Sequence, residues 1–150
     1  MVETIKVQLF TRASVQQDSK YLYLFTDNWN RTSGKILIDS GSWYCKCFGT
    51  GLKYPTMTQA VVRGLQNSAP ISTMSDQFRN QISDSQFEKF CEILNFEIET
   101  IKTKLKTESY IGLKYSGQFG CGKISNMKLV APKCFKYLCE KLLELGINNY

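Results

Sequence analysis

The sequence predicts an α/β fold: one domain over residues 1–150, built on a mixed or mostly parallel sheet flanked by helices. Three observations carry this expectation. Tyr21-Leu22-Tyr23-Leu24-Phe25 is a continuous apolar run of strand length, the pattern of a strand covered on both faces. Later stretches place apolar residues at three- and four-residue steps, the period of a helix with one buried face. Strand-like and helix-like stretches alternate, which favours helices packed on a sheet over segregated layers. A chain of 150 residues is long enough to sustain one core, since it buries roughly 68–70% of its unfolded surface.

The elements follow in order. Residues 5–10 (Ile-Lys-Val-Gln-Leu-Phe) alternate at period two and read as a strand, and Tyr21–Phe25 as a second. From Asp27 to Tyr54 the pattern gives way to Asn, Ser, Thr, Gly, Asp and Trp, with short strands expected only at Lys35–Ile38 and Trp43–Cys45. A loop of this length inside a compact domain points to function. Thr56 is placed as an N-cap after Pro55, and Met57, Ala60, Val61, Gly64 and Leu65 predict a short helix over 57–66. Pro70–Thr73 reads as a brief strand. Ser83 and Ser85 offer capping boxes with Gln86 and Glu88, ahead of a stripe of Phe87, Phe90, Cys91, Leu94, Ile98, Ile101 and Leu105. That stripe predicts a helix of about twenty residues. Tyr110–Tyr115 reads as a strand, Ser116–Ser125 as a Gly-rich loop, and Pro132 as the first turn of a closing helix. Phe135, Leu138, Leu142 and Leu145 supply the buried face of that helix, and Gly146 ends it.

Composition narrows the function classes. Hydrophobic residues at 43% and charged residues at 21% argue against a collagen-like repeat, a coiled coil or an unfolded chain. No apolar run approaches the roughly 18 residues that cross a bilayer, and the first residues lack a signal-peptide pattern, so a cytoplasmic protein without membrane association is expected. The net charge of +6 is mild and spread along the chain. It favours anionic ligands without the clustered arginines of a specific duplex-DNA reader. Histidine is absent, which removes the usual general base and the Ser-His and Cys-His pairs. The six cysteines form no CxxC pair, so reduced thiols are expected rather than a zinc site or a disulfide framework. No metal, cofactor or catalytic residue is assigned.

Three stretches carry candidate ligand-binding residues. Thr26–Lys35 follows the second strand and holds Asp27, Asn28, Trp29, Arg31 and Gly34, a set of carboxylate, amide, indole, guanidinium and glycine suited to ribose, phosphate and base. Asn, Asp, Ser and Gly also make ordinary turns, but a turn needs neither Trp29 nor Arg31. Tyr54–Arg63 places Thr56, Thr58 and Gln59 at a helix N-terminus, with Arg63 one turn on; simple capping is the structural alternative. Gly117–Ser125 contributes Gly117, Gly120, Gly122 and Lys123. It fits the first seven positions of the phosphate-cradling P-loop, yet Ile124 stands where that motif needs Ser or Thr and the helix starts late, against an NTPase.

Together Thr26-Asp27-Asn28, Gln59-Ala60-Val61-Val62-Arg63, Asn67-Ser68-Ala69-Pro70-Ile71-Ser72-Thr73, Gly117–Lys123 and Ala131-Pro132-Lys133 resemble a family of small, uncharacterised α/β proteins frequent in bacteriophages and Bacteroidetes-like genomes. In this chain Gly120-Cys121-Gly122 stands where Gly-Thr-Gly is expected. The layout is similar to nucleotide-binding folds of the macro and Rossmann-like type. The resemblance implies a binding protein for a small phosphorylated nucleotide, of the ADP-ribose or cyclic-nucleotide kind, acting as a sponge for a host immune signal in the host cytoplasm. Two alternatives stay open: an enzyme on the same nucleotides with Asp27 as base, and a protein-binding inhibitor of a host defence effector. A homo-oligomer, with Trp29 or Trp43 of one chain closing the pocket of another, is a further arrangement compatible with such a sponge.

Overall fold

The apolar run that begins at Tyr21 is a central strand because each of its faces is covered. In the computed structural model, which describes residues 3–29, 59–75, 81–122 and 125–149, it extends as β2 from Tyr21 to Asn28. It lies between β3 (Ser68–Met74) and β4 (Gly112–Tyr115), and β1 (Glu3–Lys6) pairs with the far side of β4. The order is β1-β4-β2-β3, and all three pairings are parallel. The architecture is therefore the α/β sheet that the alternating patterns predict.

Period two divides β2 between two cores. Leu22 and Leu24 face the larger one, with Ala69 and Ile71 of β3 and Leu113 and Tyr115 of β4. This side is closed by α2 (Phe87–Thr107) and α4 (Pro132–Leu143), through Phe90, Leu94, Ile98 and Ile101 of the first and Cys134, Leu138 and Leu142 of the second. Tyr23 and Phe25 face the opposite side, against Val15 of α1 (Arg12–Gln17) and against Val62 and Leu65. Val62 ends a 3₁₀ turn at Gln59–Val62, where the apolar spacing predicts a short helix over 57–66. Residues 57 and 58, and the strands expected at Lys35–Ile38 and Trp43–Cys45, lie outside the described residues.

Two elements differ from the sequence expectation. The first strand is Glu3–Lys6 rather than 5–10, because the chain leaves the sheet once the Val7 N–H has bonded the Tyr115 carbonyl at 2.8 Å. The helix α1 has no apolar stripe to announce it: Val15 is its one buried residue, and a reciprocal cap between Thr11 and Ser14 starts it. Asn67, buried at the start of β3, donates through Nδ2 to the carbonyls of Val15, Asp18 and Tyr21 and so fastens α1 to the sheet.

The long helix begins as its capping residues predict. Gln86 Oε1 accepts the Ser83 N–H at 3.1 Å across a 3₁₀ turn, Asp84–Gln86, that leads into α2. Its neighbour Asp84 serves a different helix: Oδ2 and Oδ1 accept the N–H groups of Lys133 and Cys134 at 3.2 and 3.1 Å, capping α4 from outside. Partial burial pushes the Asp84 carboxyl up, but these backbone donors outweigh it and hold the group below its ordinary value of 3.8. Gly146, at φ +81°, ends α4 with the Ile147 N–H on the Leu142 carbonyl and its own N–H on that of Leu143.

Candidate functional site at the carboxyl end of the sheet

The connections after the adjacent strands β2 and β4 lead to opposite faces. After β2 the described chain resumes at the 3₁₀ turn on the α1 side, whereas after β4 it runs through α3 (Met127–Val130) to α4 on the other side. Such a reversal leaves a crevice outside the strand ends, where parallel α/β sheets place their ligands. The described chain at these two strand ends is Asn28, followed by Trp29, and the loop after Tyr115.

At the end of β2, Asp27 projects to the same side as Tyr23 and Phe25 and meets Arg63, which follows the 3₁₀ turn. Arg63 Nε donates to Asp27 Oδ2 at 2.8 Å and Nη2 donates to Oδ1, with side-chain exposures of 3% for Arg63 and 1% for Asp27. The Asn28 N–H adds a third donor to Oδ1 at 2.8 Å. This fork is the geometry in which an arginine best offsets the desolvation of a carboxylate. Both residues are ligand-binding candidates of the sequence, from two separate stretches; the structure makes them partners of each other. With three donors already on it, Asp27 is poorly placed to activate a water.

One residue further the ladder is irregular. Asp27 pairs with Ser72, but Asn28 pairs with Met74, so Thr73 is an extra residue on β3. Its carbonyl accepts Ser125 Oγ at 2.7 Å, tying the loop after β4 to the end of β3. On the side of β3 away from β2, buried Glu97 of α2 accepts the Ser72 N–H at 3.0 Å and Ser72 Oγ at 2.7 Å. Neither Ser72 nor Glu97 is among the candidate ligand-binding residues of the sequence. The available signal is that Glu97 falls between Leu94 and Ile101 on the buried stripe, where a carboxylate needs a partner.

Trp29 is also buried, at 2% exposure, and belongs to the larger core with Lys89 Nζ 4.9 Å from its ring centroid. Its ring is packed into that core instead of offering a stacking face. Lys89 brings a cation to the end of β2 that the sequence reading passed over. It also lines an open groove of about 640 Å³ with Asp84, Ser85, Gln86, Phe87, Glu88 and Lys133. Two carboxylates offset the two lysines there, and Asp84 is committed to α4.

In the loop, Gly117 and Gly120 take φ of +89° and +73°, and a Cβ on Gly120 would come within 3.1 Å of Met127. Both glycines therefore answer to backbone conformation and packing. Gly122 differs, for among the described residues nothing lies nearer than the Ser125 carbonyl, 4.0 Å from where its Cβ would be. The N–H groups of Phe119, Cys121 and Gly122 are engaged by Asn149, Gln118 and Ser125. Gln59 Oε1 approaches the Thr26 N–H at 3.4 Å, at the margin of the crevice. Arg31, Gly34, Thr56, Thr58 and Lys123 lie outside the described residues.

The sequence of this sheet and its crevice matches a family of unknown function, DUF7831, over residues 5–141. The chain belongs to that family. No curated protein and no solved structure matches it. The span shared with DUF7831 includes the Asp27–Arg63 pair, Ser72, Glu97, Lys89 and the whole Gly-rich loop, and stops short of Asn149.

Proposed function

We propose that this protein binds a small phosphorylated nucleotide, of the ADP-ribose or cyclic-nucleotide kind, in the crevice at the ends of β2 and β4, and holds it without cleaving it. The observation that carries the reading is the departure of the two connections to opposite faces, which opens a crevice at the strand ends. Lys89 supplies a cation at its margin, Asn28 a half-buried amide, and Gly122 a point where a phosphate can approach backbone without meeting a Cβ. A mildly basic chain of +6 draws anions to it. Holding rather than cleaving is supported by the engagement of Asp27 with Arg63 and Asn28, and by a sequence without histidine. The likeness to phage proteins supplies the setting: a cytoplasmic sponge that removes a host immune signal.

The test is native mass spectrometry of protein purified from cells challenged to make nucleotide signals, followed by denaturation and analysis of what is released. A mass increment that matches an intact nucleotide is the expected result. An altered nucleotide would replace the sponge with an enzyme. Folded protein that carries no increment, and gives no calorimetric heat with ADP-ribose or cyclic nucleotides, would end the proposal; a single stoichiometric host protein in its place would favour an inhibitor. Lys89→Ala is expected to weaken nucleotide binding in a salt-sensitive way.

A further inference from the structure

The loop after β4 is shaped by a side chain from the far end of the described chain. Asn149 Oδ1 accepts the Phe119 N–H at 2.7 Å, and Asn149 Nδ2 donates to the Phe119 carbonyl. One amide thus satisfies both backbone groups of one residue, as a neighbouring strand would. The Phe119 ring is fully buried and stacks on Tyr115 with centroids 6.3 Å apart. The loop's other outside ties include Ser116 Oγ on the Gln8 carbonyl at 2.8 Å at its start, and the Lys128 N–H on the Gly120 carbonyl at 2.9 Å and Ser125 on Thr73 later in it. Its first half holds Gly117 and Gln118 in left-handed backbone, φ +89° and +56°, a conformation that costs a residue with a Cβ free energy unless its surroundings impose it.

We infer that Ile147–Asn149 is an autoinhibitory strap: it locks the Gly117–Gly122 loop in a shape in which Asn149 occupies the Phe119 N–H, and its release frees that donor for an anion. Ile147 is buried with its N–H on Leu142, so the root of the strap is fixed, whereas Asn148 is exposed and Asn149 half-buried. Only the last two of these residues need to move. While Asn149 is seated, the Phe119 donor is occupied, and Cys121 and Gly122 keep their bonds to Gln118 and Ser125. A ligand that uses the Phe119 N–H must first displace the strap, so its apparent affinity is reduced by the fraction of time the strap is closed. The consequence for binding rests on the nucleotide reading above; the locking of the loop does not.

The experiment compares the full chain with Asn149→Ala by amide hydrogen exchange and by titration with ADP-ribose. Exchange at Phe119, Cys121 and Gly122 should quicken on the order of tenfold in the variant, as expected from losing two hydrogen bonds, with the core of α2 unchanged. Asn149→Asp keeps the acceptor and loses the donor, and should fall between the two. Unchanged loop exchange, or equal acceleration in α2, would overturn the strap. The variant should bind ADP-ribose several-fold more tightly than wild type, and equal or weaker binding with a freed loop would overturn its inhibitory direction. If neither protein binds nucleotide, the nucleotide reading fails, and the exchange data alone decide whether the strap exists.

Discussion

Removing either partner of the Asp27–Arg63 pair leaves the other charged and buried. Asp27→Ala and Arg63→Ala should each lower the unfolding free energy by about 3–5 kcal/mol in urea titrations. The combined Asp27→Leu and Arg63→Met change, which leaves no orphaned charge, should recover most of the loss. Single variants as stable as wild type would show that the pair is open to solvent. The glycines of the loop separate in the same way. Gly120→Val meets both a positive φ and the Met127 side chain, so it should lower the melting temperature with or without ligand. Gly120 is a ligand-binding candidate of the sequence; its backbone conformation and the Met127 contact assign the effect to stability instead. Gly122 is the position where a Cβ has room, and Gly122→Ala should preserve the melt while weakening nucleotide binding if a phosphate approaches there.

At the scale of elements, α4 begins with Pro132 and has no capping side chain of its own, and Asp84 supplies the acceptor from beside α2. The folded carboxyl lies below its ordinary value of 3.8, so its contribution is present above that pH and is lost as pH falls through the lower folded value. Asp84→Ala should therefore be less stable than wild type at pH 7, and the gap should narrow as pH falls below 3.8; denaturant midpoints at pH 7 and pH 3 test this. A gap that persists in acid would assign the effect to packing. The helices α2 and α4 were legible from residue spacing because each buries one stripe. By contrast α1 buries a single valine, so no periodicity marks it, and its cap acts too locally to stand out from ordinary turn chemistry.

For the molecule as a whole, the cores explain the expected behaviour of the thiols. Burial raises the Cys91 and Cys139 thiols and pushes Cys134 up to about 12, which keeps them protonated and slow to react at neutral pH. Thiol counting under denaturing, non-reducing conditions should give a value near six, and in the native protein Cys91, Cys134 and Cys139 should react far more slowly than in the denatured chain. A denatured count near two or zero would overturn the reduced-thiol expectation. Among the described residues no helix is long and apolar enough to cross a membrane.

The sequence by itself determined the class of fold, because burial on one face or two leaves a periodic trace in the residues that do the burying. Tyr21–Phe25, the Phe90–Ile101 stripe and the Pro132–Gly146 helix each carry that trace. It also pointed to the turn after β2, the Arg63 segment and the Gly-rich loop as places where polar groups gather. Only the tertiary structure decided what those groups do. Asp27 and Arg63, 36 positions apart, neutralise one another; Glu97 serves Ser72; and Asn149 holds Phe119. Pairings of this kind follow from which strand ends lie side by side, and the parallel order β1-β4-β2-β3 sets that through contacts with no period along the chain.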